Sequence, residues 1–570
     1  MKTPIIEFND YTFRYDAQSE PTLYNINLTI YKGEKIIIAG PSGCGKSTLI
    51  SCINGLIPFS FRGQAYGEVK IEGKSTLDMS IAELSKRVGT VLQDSDNQFI
   101  GLTVGEDIAF ALENDCIPLP EMTERVKGAA QSVGVGDHLS HAPHELSGGQ
   151  KQRVSLAGVM VDEVPILLFD EPLANLDPAT GKSAIELIEQ IRKERGVTVL
   201  IVEHRLEDAL QRGADRIVLM KEGRIIADCS PNELLSSDLL LKTGIREPLY
   251  LSALKYAGVS VTPEKKPGNI GEMVIDPEDS QRVRSWVKSI QKSAPKEKKT
   301  PIVSLKNVSF AYQNGKEALS GITSEICEGE MLSLVGKNGA GKSTLAKLIC
   351  GFEKPARGEI LLKGEDTAKL SIKQRAEHIG YVMQNPNQMI SKTTVKEEVA
   401  WGLRLRGYSQ EETEDKLNEI LKVCGLYPYR NWPIGSLSYG QKKRVTVSSI
   451  LVLSPEMIIL DEPTAGQDFG HYTEIMEFLK NVNSMGVTIM MVTHDMHLML
   501  EYCERALVLS DGKLIADDKP EKILTNSDII EKAALKETSL YELALKCSLE
   551  EPGGFVGSFI EYERSFKGHE

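Results

Sequence analysis

Six short apolar runs set the pattern of this chain. Residues 35–40 (KIIIAG) and 331–336 (MLSLVG) are continuous apolar stretches that stop at glycine and lead into helix-forming sequence. Residues 166–170 and 457–461 are apolar runs that end in an Asp-Glu pair, and residues 198–202 and 487–492 are apolar runs closely followed by histidine. Continuous rather than alternating apolar runs suit parallel strands buried on both faces. Their alternation with helical periods predicts an α/β core in each half.

The pattern occurs twice. GPSGCGKST at 40–48 returns as GKNGAGKST at 336–344, LSGGQKQR at 146–153 as LSYGQKKR at 437–444, and IVEH at 201–204 as MVTH at 491–494. The separations Lys46 to Lys342, Ser147 to Ser438, Glu171 to Glu462 and His204 to His494 are 296, 291, 291 and 290 residues. A period that long marks two whole domains in tandem, far beyond a solenoid repeat. The fold expected is α/β, in two tandem domains with a mainly parallel sheet core each. The boundaries expected are 5–245 for the first domain, 246–300 for an extension and linker, 301–535 for the second domain and 536–570 for a C-terminal tail. Within the linker, PEKKPGN and SAPKEKKT predict exposed chain with one short helix near 280–292. The tail from Cys547 carries no readable function.

Composition narrows the class. A length of 570 residues predicts three or four units, and the duplication groups them into two copies. With 66 basic against 80 acidic residues, the net charge of −14 disfavours a broad nucleic-acid-binding face. No apolar run approaches the 18–20 residues of a membrane span, and the N-terminus lacks the apolar stretch of a secretory signal. Nine cysteines without a CxxC pair indicate neither a disulfide framework nor a zinc site. The chain reads as soluble and cytosolic, so action at a membrane has to pass through a partner.

The repeated motifs carry phosphate chemistry. Gly40, Pro41, Ser42, Gly43, Cys44, Gly45, Lys46, Ser47 and Thr48 form one GxxxxGK[ST] loop. Gly336, Lys337, Asn338, Gly339, Ala340, Gly341, Lys342, Ser343 and Thr344 form the other. Such a loop turns backbone N–H groups toward phosphate oxygens at a helix N-terminus. Lys46 and Lys342 are placed to reach the β- and γ-phosphates, and Ser47 and Ser343 to bind Mg²⁺. Asp170 and Asp461 end the next buried strand, where a carboxylate can orient Mg²⁺ or its water. Glu171 and Glu462 follow as candidate general bases, and His204 and His494 are candidate γ-phosphate contacts.

This ordered set, with Gln93 or Gln384 between phosphate loop and signature, resembles the ATP-binding cassette ATPases over nearly the whole chain. The LSGGQ-like signature is the most specific mark, and the resemblance implies an α/β fold of two tandem phosphate-loop cassettes, each with a mainly parallel sheet core, an antiparallel β subdomain and a helical subdomain. In that family two cassettes pair head to tail, so that the signature of one caps ATP held by the other. The resemblance implies one composite site of Lys46, Gln93, Glu171 and His204 with Ser438, Gly440 and Gln441. It implies a second of Lys342, Gln384, Glu462 and His494 with Ser147, Gly148, Gly149 and Gln150. Gln93 and Gln384 are implied as catalytic and metal-binding residues, and Tyr15 and Tyr312 as adenine-stacking aromatics. Tyr439 departs from the pattern by replacing the first signature glycine, and ANLD at 174–177 differs from AGQD at 465–468. Because both sites keep Lys, Glu and His, both are expected to hydrolyse ATP.

The segments QDSDNQFIGLTVGEDIAFALEN and QNPNQMISKTTVKEEVAWGLRLRG resemble those of energy-coupling factor ATPases of the cobalt or vitamin type. That resemblance implies an import motor at the cytoplasmic face of the membrane. It would be bound peripherally to separate transmembrane subunits, a coupling protein and a substrate-binding membrane protein. Fifty-four residues separate Gln93 from Ser147 and Gln384 from Ser438, which implies two similar docking grooves. The alternative is a soluble tandem cassette acting on the ribosome, but ANLD and AGQD lack that branch's mark. A sugar or peptide transport ATPase is the third reading.

Overall fold

The computed structural model describes residues 2–92, 98–173, 176–290, 300–312, 315 and 317–566. The chain forms two compact units that change over near Trp286 and Val287.

In the first unit, β1 (Pro4–Tyr15) and β2 (Leu23–Tyr31) pair antiparallel and precede β3 (Lys35–Ala39). β4 (Gly63–Ile71) and the short β5 (Lys74–Ser75) extend the first pair into a four-stranded antiparallel sheet, ordered β2-β1-β4-β5. β6 (Val88–Val91), β7 (Ile166–Asp170), β8 (Thr198–Val202), β9 (Arg216–Lys221) and β10 (Arg224–Cys229) join β3 in a six-stranded sheet, ordered β10-β9-β3-β8-β7-β6. Every contact in it is parallel except β9 with β10. All five residues of β3 and of β8 are buried, as continuous apolar runs require when helices cover both faces.

The second unit repeats this plan. β11 (Pro301–Ala311), β12 (Glu317–Cys327), β14 (Arg357–Leu362) and β15 (Glu365–Asp366) form the antiparallel sheet β12-β11-β14-β15. β13 (Met331–Gly336), β16 (Ile379–Val382), β17 (Met457–Asp461), β18 (Thr488–Val492), β19 (Arg505–Ser510) and β20 (Lys513–Asp518) form the sheet β16-β17-β18-β13-β19-β20. Each unit therefore has the expected α/β architecture, with the predicted apolar runs as its central strands.

The helical subdomains are built from Val104–Asn114, Leu119–Ser132 and Gly148–Met160, and from Val395–Leu405, Gln410–Val423 and Tyr439–Leu451. Their starts are fixed by reciprocal capping boxes: Thr103 with Glu106, Ser147 with Gln150, Thr394 with Glu397, Ser438 with Gln441. Among the described residues, no helix is long and apolar enough to cross a membrane.

The linker, read as exposed chain with one short helix, and the tail, to which no function was assigned, both carry packed helices. The helix expected near 280–292 runs Pro277–Ser289, and it is not merely exposed chain: Val283 and Trp286, three residues apart on one face, are buried. Upstream, the helix Leu249–Tyr256 buries Leu249, Tyr250, Leu251 and Leu254. The tail carries the helices Ser539–Lys546 and Pro552–Phe566. In the latter Phe555, Val556, Phe559 and Ile560 are buried. Arg564 donates to the carbonyls of Glu501 and Cys503, at 3.1 and 2.9 Å. It thereby caps the last turn of Met496–Tyr502, the helix that follows His494. Phe559→Ala removes a side chain with no exposed surface and is expected to cost about 3–5 kcal/mol. The loss would be read as a lower unfolding midpoint of the second unit in thermal or urea denaturation, and an unchanged midpoint would contradict this packing.

Candidate functional site

In both units three adjacent parallel strands deliver the site. β3, β8 and β7 end at Ala39, Val202 and Asp170, just before Gly40, Glu203 and Glu171, and β13, β18 and β17 end at Gly336, Val492 and Asp461, the last two just before Thr493 and Glu462. The carboxyl ends of neighbouring strands are where open α/β sheets collect their chemistry.

The phosphate loops are wound in the same way. Gly45 and Gly341 both sit at φ 101°, each as the N-cap of the helix beginning at the loop lysine. A Cβ on Gly45 would lie 2.9 Å from the Thr22 carbonyl oxygen, and one on Gly341 2.7 Å from that of Ala318. Lys46 and Lys342 are buried. Lys46 Nζ donates to the carbonyls of Gly40 and Pro41, at 2.8 and 2.9 Å. Lys342 Nζ donates to those of Gly336 and Lys337, at 2.7 and 3.1 Å. These bonds hold each ammonium over its own loop. Ser47 and Ser343 are exposed, whereas Thr48 and Thr344 turn inward. The Tyr15 hydroxyl lies 3.1 Å from Thr48 Oγ1, and that of Tyr312 lies 2.8 Å from Thr344 Oγ1. The two tyrosines expected at the adenine are thus fastened to the helices carrying the phosphate loops.

Each acidic pair is set for two tasks. Asp461 Oδ2 accepts from Ser343 Oγ at 3.3 Å and from the Tyr381 hydroxyl at 2.9 Å. Burial raises the Asp461 pKa, the neighbouring Glu462 adds to that, and the Tyr381 and Ser343 bonds oppose it. Asp170 shows the same balance, raised by burial and by Glu171 and lowered by its bond from Ser47. A partly buried carboxylate beside a hydroxyl is an all-oxygen donor set, which fits Mg²⁺.

Glu171 and Glu462 both adopt left-handed backbone, at φ 51° and 45°, a conformation that costs a non-glycine residue about 1–3 kcal/mol. Their N–H groups donate to the Val202 and Val492 carbonyls, at 2.9 and 2.8 Å. That bend turns each glutamate toward the neighbouring strand's histidine. Glu171 Oε1 is 2.7 Å from His204 Nε2, and Glu462 Oε1 is 2.7 Å from His494 Nδ1. The structure thus brings together phosphate loop, Asp, Glu and His in each unit. Ser147 and Ser438 cap their own helices, their backbone N–H groups donating to Gln150 and Gln441 Oε1 at 2.9 Å. Each signature is therefore a preformed helix N-terminus. Gln384 is exposed, and its carbonyl accepts from the Tyr439 hydroxyl at 3.3 Å. Gln93, and Ala174 and Asn175 of the ANLD segment, lie outside the described residues.

Motif reading missed the residues that make the two sites unequal. Glu203 is buried and accepts from the N–H groups of Leu173, His204 and Arg205, at 3.3, 3.0 and 3.1 Å, while Arg205 donates to the Leu173 carbonyl. Burial raises the Glu203 pKa against the pull of Arg205. At the equivalent position Thr493 donates to Glu462 Oε2 at 3.3 Å. Likewise Lys443 replaces Gln152, and Tyr381 replaces Thr90. Only the mismatches VEHR/VTHD and QKQR/QKKR flag the first two. The fall in repeat separation from 296 to 291 is a five-residue insertion between Gly55 and Gly67, against Gly351 and Gly358. It brings the exposed Phe61 ring to 6.3 Å from Tyr15.

Comparison with known proteins gives a consistent picture. A family described as "ABC transporter" matches residues 23–174 and 319–465. A second, described as "ATP-binding cassette cobalt transporter", matches residues 237–310. A Clostridium perfringens protein assigned as an ABC transporter ATP-binding protein is 57% identical over 98% of both chains. One from Enterococcus faecalis with the same assignment is 54% identical over the full length of both. Among solved structures, cbiO1 of Clostridium perfringens, given as part of the ABC transporter complex cbiONQ, is 33% identical. It covers 41% of this chain and 94% of its own, with a TM-score of 0.38.

Proposed function

The chain belongs to the ATP-binding cassette transporter family, and from that premise we propose that it is the energy-coupling ATPase of an importer of the energy-coupling factor type, moving a vitamin or metal ion. Its family membership makes it an ATP-hydrolysing transport subunit. The importer reading is supported chiefly by the match of residues 237–310 to the cobalt-transporter family, since those residues lie outside the catalytic motifs that all cassettes share.

The residues divide the work as follows. Lys46 and Lys342, with the loop N–H groups, bind and orient the phosphates, and the helix N-termini behind them add favourable partial charge. Ser47 with Asp170, and Ser343 with Asp461, would hold Mg²⁺, and Gln93 and Gln384 would complete those sets. When bound, Mg²⁺ neutralises charge on the phosphate oxygens. Glu171 and Glu462 take the proton of the attacking water, and His204 and His494 fix each carboxylate's direction and face the γ-phosphate. Tyr15 and Tyr312 stack on adenine. The signature residues Ser147, Gly148, Gly149 and Gln150, and Ser438, Gly440 and Gln441, supply N–H donors to the γ-phosphate.

The partners proposed are separate transmembrane subunits, a coupling protein and a substrate-binding protein, with the chain held peripherally on the cytoplasmic face. The helices Val104–Asn114 and Val395–Leu405 would offer the docking faces. An affinity-tagged chain expressed in its own host and extracted in mild detergent is expected to bring down polytopic membrane proteins stoichiometrically. A membrane-free pool sedimenting with ribosomes would overturn the reading.

A further inference from the structure

In the second cassette a lysine ammonium group is buried under the catalytic glutamate. Lys443 lies in the first turns of Tyr439–Leu451 and is 2% exposed. Its Nζ donates to the carbonyl of Met383 at 3.3 Å and to that of Glu462 at 3.4 Å. Met383 immediately precedes Gln384, so one cation bridges the Gln loop and the general base. The first cassette has the neutral Gln152 here, which donates to the Pro172 carbonyl.

Two further bonds run the same way. Tyr439 donates to the Gln384 carbonyl at 3.3 Å and Lys442 Nζ to Asn387 Oδ1 at 3.4 Å. The start of this helix is therefore fastened to its own Gln loop at three points. Burying an ammonium group costs several kcal/mol unless it is compensated. Burial pulls the Lys443 pKa down to about 8, while the Asp461 and Glu462 carboxylates hold it up. The benefit falls on Glu462, whose φ of 45° must be imposed by its surroundings. Lys443 holds its carbonyl, Val492 its N–H, and His494 and Thr493 its carboxylate.

We propose that Lys443 is a positioning residue for ATP hydrolysis at the second cassette, holding Glu462 and the Gln loop in one frame, where the first cassette carries the neutral Gln152. The proposal rests on the ATPase reading above and adds an inequality between the two sites. Lys443 is buried with its Nζ on two backbone carbonyls, so its loss is expected to act on turnover rather than on nucleotide binding.

The test uses the full-length chain, photolabelled with 8-azido-ATP and mapped to each cassette by peptide mass spectrometry. Labelling on ice reports binding, and labelling after vanadate trapping at working temperature reports hydrolysis. Lys443→Gln is expected to lower trapping at the second cassette at least tenfold. Binding there, and trapping at the first cassette, should stay within twofold. Lys443→Arg, which keeps the cation, should retain at least half of the trapping, and Lys443→Met should behave as Lys443→Gln. Wild-type trapping in Lys443→Gln overturns the proposal. So does a parallel loss of binding and trapping, which marks a purely structural role. Absence of trapping in the unsubstituted chain would bring down the ATPase reading together with the proposal.

Discussion

Glutamine at both Glu171 and Glu462 is expected to lower ATP hydrolysis by about 100-fold or more, the range associated with loss of a positioned general base, while ATP binding persists. The substitution preserves side-chain volume and leaves a group able to bond to His204 or His494, so packing is little disturbed. It removes the basic oxygen that sits 2.7 Å from each histidine. The left-handed bend at each position is set by the backbone bonds to Val202 and Val492, which glutamine retains. Each single substitution is expected to lower steady-state turnover without abolishing it, because both units carry the full lysine, aspartate, glutamate and histidine set. If one single variant turns over normally while the other is inactive, the two-site reading fails.

The two glutamates share geometry but not surroundings. Glu462 receives a hydroxyl from Thr493, and its carbonyl receives the Lys443 ammonium group. Glu171 lies near Glu203, a buried carboxylate that it helps push toward its neutral form. Glu203 and Arg205 together fasten the turn after β8 to both backbone groups of Leu173. The first site is thus stiffened through its loops and the second through the glutamate itself.

The central strands were legible because burial on both faces forces continuous apolar runs, and residues 35–39 and 331–336 contain little else. The phosphate loop, acidic pair and histidine were legible because phosphate chemistry fixes their order and spacing. Lys443 was not, because a lysine in a signature motif looks like any exposed helix charge until the fold buries it. The tail was hard to read for a similar reason. EPGGFVGSF has three glycines and a proline, which weaken a helical reading, yet Pro552–Phe566 is helical because Phe555, Val556, Phe559 and Ile560 have a core to enter. Tertiary burial overrode local propensity there. A further clue lies in the repeat: Leu249, Tyr250, Ala253, Leu254 and Lys255 recur as Leu540, Tyr541, Ala544, Leu545 and Lys546 at a separation of 291, within one residue of that of the histidines. The duplicated unit therefore extends into the helices behind them.

Alanine at Gly45 or Gly341 is expected to disable nucleotide binding one cassette at a time. Both glycines stand at φ 101°, where an L side chain costs about 1–2 kcal/mol. The added Cβ of Gly341→Ala would meet the Ala318 carbonyl oxygen and Leu319 Cδ2, each at 2.7 Å. That of Gly45→Ala would meet Leu23 Cδ2 at 2.8 Å and the Thr22 carbonyl oxygen at 2.9 Å. A leucine methyl can yield, but a carbonyl on a paired strand yields little, and overpacking of this kind adds about 1–3 kcal/mol. The two costs together come to about 2–5 kcal/mol, and the loop is the easiest element to move in response. Any shift carries the adjacent lysine and the first helical N–H groups away from the phosphates. The expected outcome is a loss of ATP affinity of about 30-fold or more at the substituted cassette, read by site-mapped photolabelling on ice. The internal control is Gly339→Ala, where φ is 79° but nothing lies within 4 Å of the added carbon, so only the conformational cost applies. Equal losses in Gly339→Ala and Gly341→Ala would show that backbone sign alone governs the loop. Normal binding in Gly341→Ala would contradict the close approach of β12 to the phosphate cradle.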